Sequence, residues 1–113
     1  MGQSIEALDA LITANKRYIE DGNALQRLKQ NADFQRLFLD FYINEQSVNL
    51  VKNKAALHLQ EPAEQKYLDA QLLSVGLFYQ FMQEVEQVAK QATDSIQAAE
   101  EEKEMLIHEM STR

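Results

Sequence analysis

Apolar residues recur along this chain at intervals of three and four, the mark of helices that bury one stripe and wet the other. The first stripe reads Ile5, Leu8, Leu11, Ile12, Tyr18, Ile19, Leu25 and Leu28. Ser4 stands where an N-cap belongs, with Glu6 and Asp9 near the positive end of the helix dipole. Glu20-Asp21-Gly22-Asn23 is the weak point of this pattern. Asn23 and Gln26 have capping-box spacing, so a kink or restart is expected there. Asn31 suits the position just past a helix end, and Asp33 can cap the next helix.

A second helix is predicted from Asp33 to about Leu59. Phe34, Leu37, Phe38, Phe41, Val48, Val51 and Ala55 share its face, with Tyr42 on the edge, the most apolar and aromatic face of the chain. Gln60-Glu61-Pro62-Ala63 reads as a turn and restart, because Pro favours the first position of a helix. A third helix then runs from Pro62 to about His108, broken by no Pro and by no Gly but Gly76. At about 1.5 Å per residue it would reach about 70 Å, longer than either partner helix. One of its lines is Leu68, Leu72, Val75 and Tyr79. The other is Phe78, Phe81, Val85, Val88, Ala92, Ser95, Ala99 and Leu106, alternating steps of three and four as far as Ala99, which is heptad spacing.

The expected fold class is all-α, an antiparallel helical bundle of two mid-length helices and one long C-terminal helix that overhangs. Residues 1–92 would form the bundle domain and residues 93–113 an acidic helical extension. An overhanging helix leaves Val85, Val88, Ala92, Ser95 and Ala99 without a partner in their own chain, so these residues are the expected seam for self-association. Met105, Leu106, Ile107 and Met110 come after an acidic run and read as a Met-rich, adaptable docking segment.

Charge sharpens this picture. The net charge is −7. From residue 61 onward eleven Asp and Glu face four Lys and Arg, whereas residues 1–60 carry seven of each. Without clustered basic residues there is little to release counterions from a phosphate backbone, so direct nucleic-acid binding is not expected. No secretory signal and no membrane-spanning run of eighteen apolar residues is visible, and the chain has no Cys for disulfide or thiolate chemistry.

Catalytic groupings are equally thin. His58 with Glu61 and His108 with Glu104 have helical spacing, but neither forms the Glu-x-x-His arrangement of a di-iron bundle. Ser4, Ser47, Ser74, Ser95 and Ser111 lack a nucleophile elbow, and Gly2, Gly22 and Gly76 stand alone rather than in a phosphate loop. Glu84 and Glu86 point to different helix faces. No catalytic, cofactor-binding or metal-binding residues are assigned, and the chain does not read as an enzyme. Phe34, Phe38, Phe41, Phe78 and Phe81 are expected to form a hairpin core. Gly76 is expected to let the Phe face of the second helix come close. Glu100 to Glu104 fit a solvated face, or alternatively a mimic of a phosphate row.

The stretch from Ala24-Leu25-Gln26-Arg27-Leu28 through Asn31-Ala32-Asp33-Phe34 resembles a family of small helical proteins encoded by tailed bacteriophages. The resemblance continues through Phe41-Tyr42, Glu45 and Leu50-Val51, and returns at Val75-Gly76 and Tyr79-Gln80-Phe81, covering roughly residues 24–82. It implies a non-enzymatic interaction protein in virion assembly, or a small structural component, in the host cytoplasm or the virion. Its partners would be copies of itself, another phage protein or a host protein. The alternative is an inhibitor of a host protein, with the acidic tail imitating nucleic acid. No site residues carry over from the family.

Overall fold

Three helices and no strand make up residues 4–112, the part of the chain described in a computed structural model. Helix α1 spans Ile5–Gln30. Helix α2 covers residues 32–54 in three consecutive stretches, Ala32–Phe34, Gln35–Glu45 and Gln46–Lys54. A single 3₁₀ turn, Leu57–Leu59, precedes α3, which spans Pro62–Ser111 and has 50 residues, about 75 Å at 1.5 Å each.

The start of α1 is capped as its sequence indicates. The Ala7 N–H donates to Ser4 Oγ at 3.1 Å. The expected kink at Gly22 does not occur, and α1 continues unbroken to Gln30. Gly22 is buried, and a Cβ placed on it would come within 2.5 Å of the Ala89 Cβ. This glycine therefore serves close approach of α1 to α3, not a break in the backbone.

Between α1 and α2 the cap is Asn31 rather than Asp33. Asn31 adopts extended backbone (φ −77°, ψ 126°) and its Oδ1 accepts from the Phe34 N–H at 3.0 Å. Gln35 Nε2 donates to the Lys29 carbonyl at 2.6 Å, occupying an acceptor at the end of α1 that would otherwise lack a helical partner.

The middle stretch of α2, Gln35–Glu45, is π-helical over 11 residues, and at its end the Gln46 N–H donates to the Phe41 carbonyl five residues back. Such runs are rare, since π geometry mostly occurs as one-turn bulges. Its wider turn spreads side chains that a 3.6-residue period would stack on one face. Leu37, Phe38 and Phe41 are accordingly exposed instead of sharing a buried stripe. Helix α2 ends at Lys54, short of the expected Leu59, because Ala56 turns to extended backbone. Two glutamine amides then cover the freed carbonyls. Gln60 Nε2 donates to the Lys54 and Ala56 oxygens (2.9 and 2.7 Å), and Gln65 Nε2 to those of Lys54 and Leu59 (3.1 and 2.8 Å).

The chain divides into two compact units, one of residues 1–25 with 84–113 and one of residues 26–83. In the first unit Leu8, Ile12 and Ala99 form the core, with Leu11, Ile96 and Leu106 packed against it. Lys103 Nζ meets Asp9 Oδ1 at 2.6 Å beside that core. In the second unit Leu50, Leu68 and Val75 form the core with Tyr42, Leu59 and Leu72 around it, and Lys54 pairs with Asp69. The expected overhang is thus corrected. Helix α1 covers the C-terminal part of α3, so residues 93–113 share a unit with α1 rather than extending from a domain.

Candidate functional site

Each half of α3 turns a line of heptad spacing toward its own unit. In residues 26–83 the line is Leu68, Gln71, Val75, Phe78 and Met82. In the other unit it is Val85, Ala89, Ala92, Ile96, Ala99, Lys103 and Leu106, and every residue of both lines is buried or half-buried. Five of these positions, Phe78, Val85, Ala92, Ala99 and Leu106, belong to the line read from the sequence. The interleaved ones do not: Met82, Ala89 and Ile96 face inward where Phe81, Val88 and Ser95 were expected. A step of three placed before a step of four, instead of after it, produced that error.

The expected self-association seam therefore splits. Ala92 and Ala99 are 2% and 4% exposed, and Ala99 packs on Leu8 and Ile12 of α1, so both already have an intrachain setting. Val85 and Val88 are half-buried, and Ser95 is exposed. The C-terminal quartet splits as well. Leu106 packs against the core of its unit, while Met105, Ile107 and Met110 are exposed.

The aromatic cluster is only partly a core. Phe34 stacks on Phe38 with ring centroids 5.1 Å apart, Phe38 on Phe78 at 5.7 Å, and Tyr42 tilts toward Phe78 at 5.7 Å. Phe41 lies outside this ladder and half exposed, and Phe81 is 60% exposed. Gly76 has nothing within 4 Å of a Cβ built on it, so the Phe face of α2 does not approach it. The close-approach role expected of Gly76 belongs to Gly22.

What the sequence reading missed is an outward apolar face on residues 26–83. On α3 it comprises Leu73, Leu77 and Phe81, which are 62%, 60% and 60% exposed. Leu77 lies roughly 200° around the helix from the buried Val75, so this line is nearly opposite the core. Helix α2 contributes exposed Leu37, Phe41, Val48 and Val51. Between the two helices lies a hollow of about 280 Å³ lined by Phe41, Tyr42, Gln46, Gln71, Ser74 and Val75. The signal was present as four-residue steps from Leu73 to Phe81, but reading Phe81 as core hid it.

Electrostatics separate the units. Residues 26–83 carry six acidic and six basic side chains, and the other unit carries twelve acidic and five basic, the whole net charge of −7. Glu101, Glu104, Met105, His108 and Glu109 line a hollow of about 420 Å³ on the acidic unit. Among the described residues no group of three or more His, Cys, Asp or Glu is placed to hold a metal ion, and no helix is long and apolar enough to cross a membrane. Glu64, in the first turn of α3, has one buried carboxylate oxygen with no hydrogen-bond partner. No family model, curated protein or solved structure matches the chain.

Proposed function

We propose that this chain is a non-enzymatic protein–protein interaction protein that self-associates through α3 and acts in the assembly of a larger particle, as a small structural or assembly component. The bacteriophage setting, in host cytoplasm or virion, comes from the short motifs in residues 24–82. The observation that carries the interaction reading is the imbalance of apolar residues. Nine hydrophobic residues are buried among the described residues, against sixteen large ones left exposed, twelve of them in residues 26–83. Exposed apolar groups gathered on one region mark docking surfaces more often than they decorate a monomer.

Within one chain, the finer architecture is an antiparallel pairing of α3 with α1 in one unit and with α2 in the other. Contacts such as Asp9–Lys103 with Gly22–Ala89, and Lys54–Asp69 with Phe38–Phe78, support it, since partner numbers fall as residue numbers rise.

Light scattering on the purified chain tests the reading. A mass that is a multiple of the 13.0 kDa chain, reduced by Phe81→Lys with helical circular dichroism retained, is expected. A monomer at all accessible concentrations overturns it. The second reading, an inhibitor whose acidic unit imitates nucleic acid, is favoured by the confinement of all net charge to one unit and by exposed Glu100, Glu101 and Glu104. Changing these three to Gln would then abolish capture of a nucleic-acid-binding protein, and wild-type capture would weaken with salt.

A further inference from the structure

We infer that two copies of this chain pair through the outward face of α3 within residues 26–83, running in opposite directions about a two-fold axis near residues 75 and 76. The inference rests on the proposed self-association through α3 and adds its surface, direction and register.

Two observations favour a second copy in this arrangement. The first is charge. The face lies on the neutral unit, where copies meet without like-charge repulsion. From Glu84 to Ser111, by contrast, α3 carries eight acidic residues against two basic ones. Parallel pairing would lay these two acidic segments side by side, whereas antiparallel pairing about residues 75 and 76 carries them to opposite ends. Opposed helix dipoles add to the preference.

The second observation is self-complementarity, which an isologous contact requires. The outward face alternates bulky residues, Leu73, Leu77 and Phe81, with the small exposed Ala70 and Ser74. Turned about an axis between residues 75 and 76, Phe81 falls opposite Ala70 of the second copy, and Leu77 opposite Ser74. Ala70, Ser74, Leu77 and Phe81 step by four, three and four, the spacing of knobs and holes in a coiled coil.

The chain contains no Cys, so single cysteines report the geometry directly. In the full chain under mild oxidation, Leu77→Cys is expected to cross-link two copies, and Ala70→Cys is expected to cross-link to Phe81→Cys when the variants are mixed. Ser95→Cys, exposed on α3 nineteen or twenty residues from the axis, should stay uncross-linked. Cross-linking of Ser95→Cys, or its absence at Leu77→Cys in a protein that sediments as a dimer, overturns this geometry while leaving self-association intact. Sedimentation of the wild-type chain as a monomer overturns the geometry and the proposed function together. Leu77→Glu supplies the remaining arm. It should sediment as a monomer with its helical signal unchanged, and a dimer that survives the substitution refutes the assigned surface.

Discussion

The two units of this chain solve helix packing in opposite ways. In residues 1–25 with 84–113, the inward line of α3 carries three alanines, Ala89, Ala92 and Ala99, among Val85, Ile96, Lys103 and Leu106, and Gly22 of α1 lies against Ala89. Small residues bring backbones together, so two helices alone cover their cores, and few large apolar side chains remain outside. In residues 26–83 the line is bulky, with Leu68, Val75, Phe78 and Met82. There α2 and α3 cover Leu50, Leu68 and Val75 but leave a hollow and an apolar outer surface. The acidic unit is closed by its own residues, and the neutral one leaves twelve large apolar side chains exposed. Residue size on one helix separates a closed pair from an open one.

The largest expected effect comes from removing one side of the closed unit. Deleting residues 92–113 strips Ile96, Ala99 and Leu106 from α1 and uncovers Leu8 and Ile12. Helix α1 without a packed face is marginal in water. Circular dichroism should then show a helical loss greater than the deleted residues account for, by about the length of α1. A loss proportional to the deletion would mean that α1 stands without α3, and the comparison would fail.

Point substitutions sharpen it. Leu8 is 1% exposed, so Leu8→Ala should destabilise by about 2–5 kcal/mol. Phe81→Ala removes a larger side chain from an exposed position and should cost a single chain well under that. If Phe81 is covered by a second copy, its effect on melting temperature will depend on protein concentration, by mass action, whereas that of Leu8→Ala will track the core alone. Thermal melts across a concentration series separate the two. Equal, concentration-independent losses would place Phe81 in a core after all.

The glycines give the next contrast. At Gly22 a methyl group must displace Ala89, with no flexible side chain to yield, and overpacking of this kind costs about 1–3 kcal/mol. At Gly76 the same change meets open space within the chain and gains helix propensity, about 1 kcal/mol. Gly22→Ala should therefore lower the melting temperature, and Gly76→Ala should raise it under dilute conditions. Reversal of the two signs in chemical denaturation would refute the assignment of Gly22 to the close crossing.

Helix existence was legible in the sequence because three- and four-residue spacing survives over long stretches, as from Phe78 to Ala99. The cap at Ser4 and the restart at Pro62 were legible for local reasons. Register was not. Phe81 and Met82 are adjacent, both apolar, and only packing decides which faces inward. The π-helical stretch Gln35–Glu45 was invisible because its residues fit a 3.6-residue period on paper, and the change of pitch moved Leu37 and Phe41 into solvent. The pairing of α1 with the C-terminal part of α3 was missed for another reason. Length alone suggested that the first two helices were used up on the first part of α3, and neither Gly22 nor the alanines were read as partners.

The smallest expected effect concerns the two ion pairs, one in each unit. Lys103 meets Asp9, and Lys54 meets Asp69, with side-chain exposures of 29% and 55% in the first pair and 36% and 60% in the second. Partly wet pairs gain little Coulomb energy over hydration and lose side-chain freedom, so each should contribute at most about 1 kcal/mol. Their settings nonetheless differ. Asp9 and Lys103 lie in a unit with an excess of acidic side chains, so Lys103→Gln removes one of its five basic groups and leaves the repulsion among twelve acidic ones less balanced. Lys54→Gln acts in a unit with equal numbers of each sign. Lys103→Gln should therefore be the more destabilising at low ionic strength, and the difference should shrink as salt screens the wider field over about 10 Å at 0.1 M. Urea unfolding of both variants at low and high salt measures it. Equal losses at both salt concentrations would show that each lysine acts through its one partner alone, and that the charge asymmetry between the units does not reach their stability.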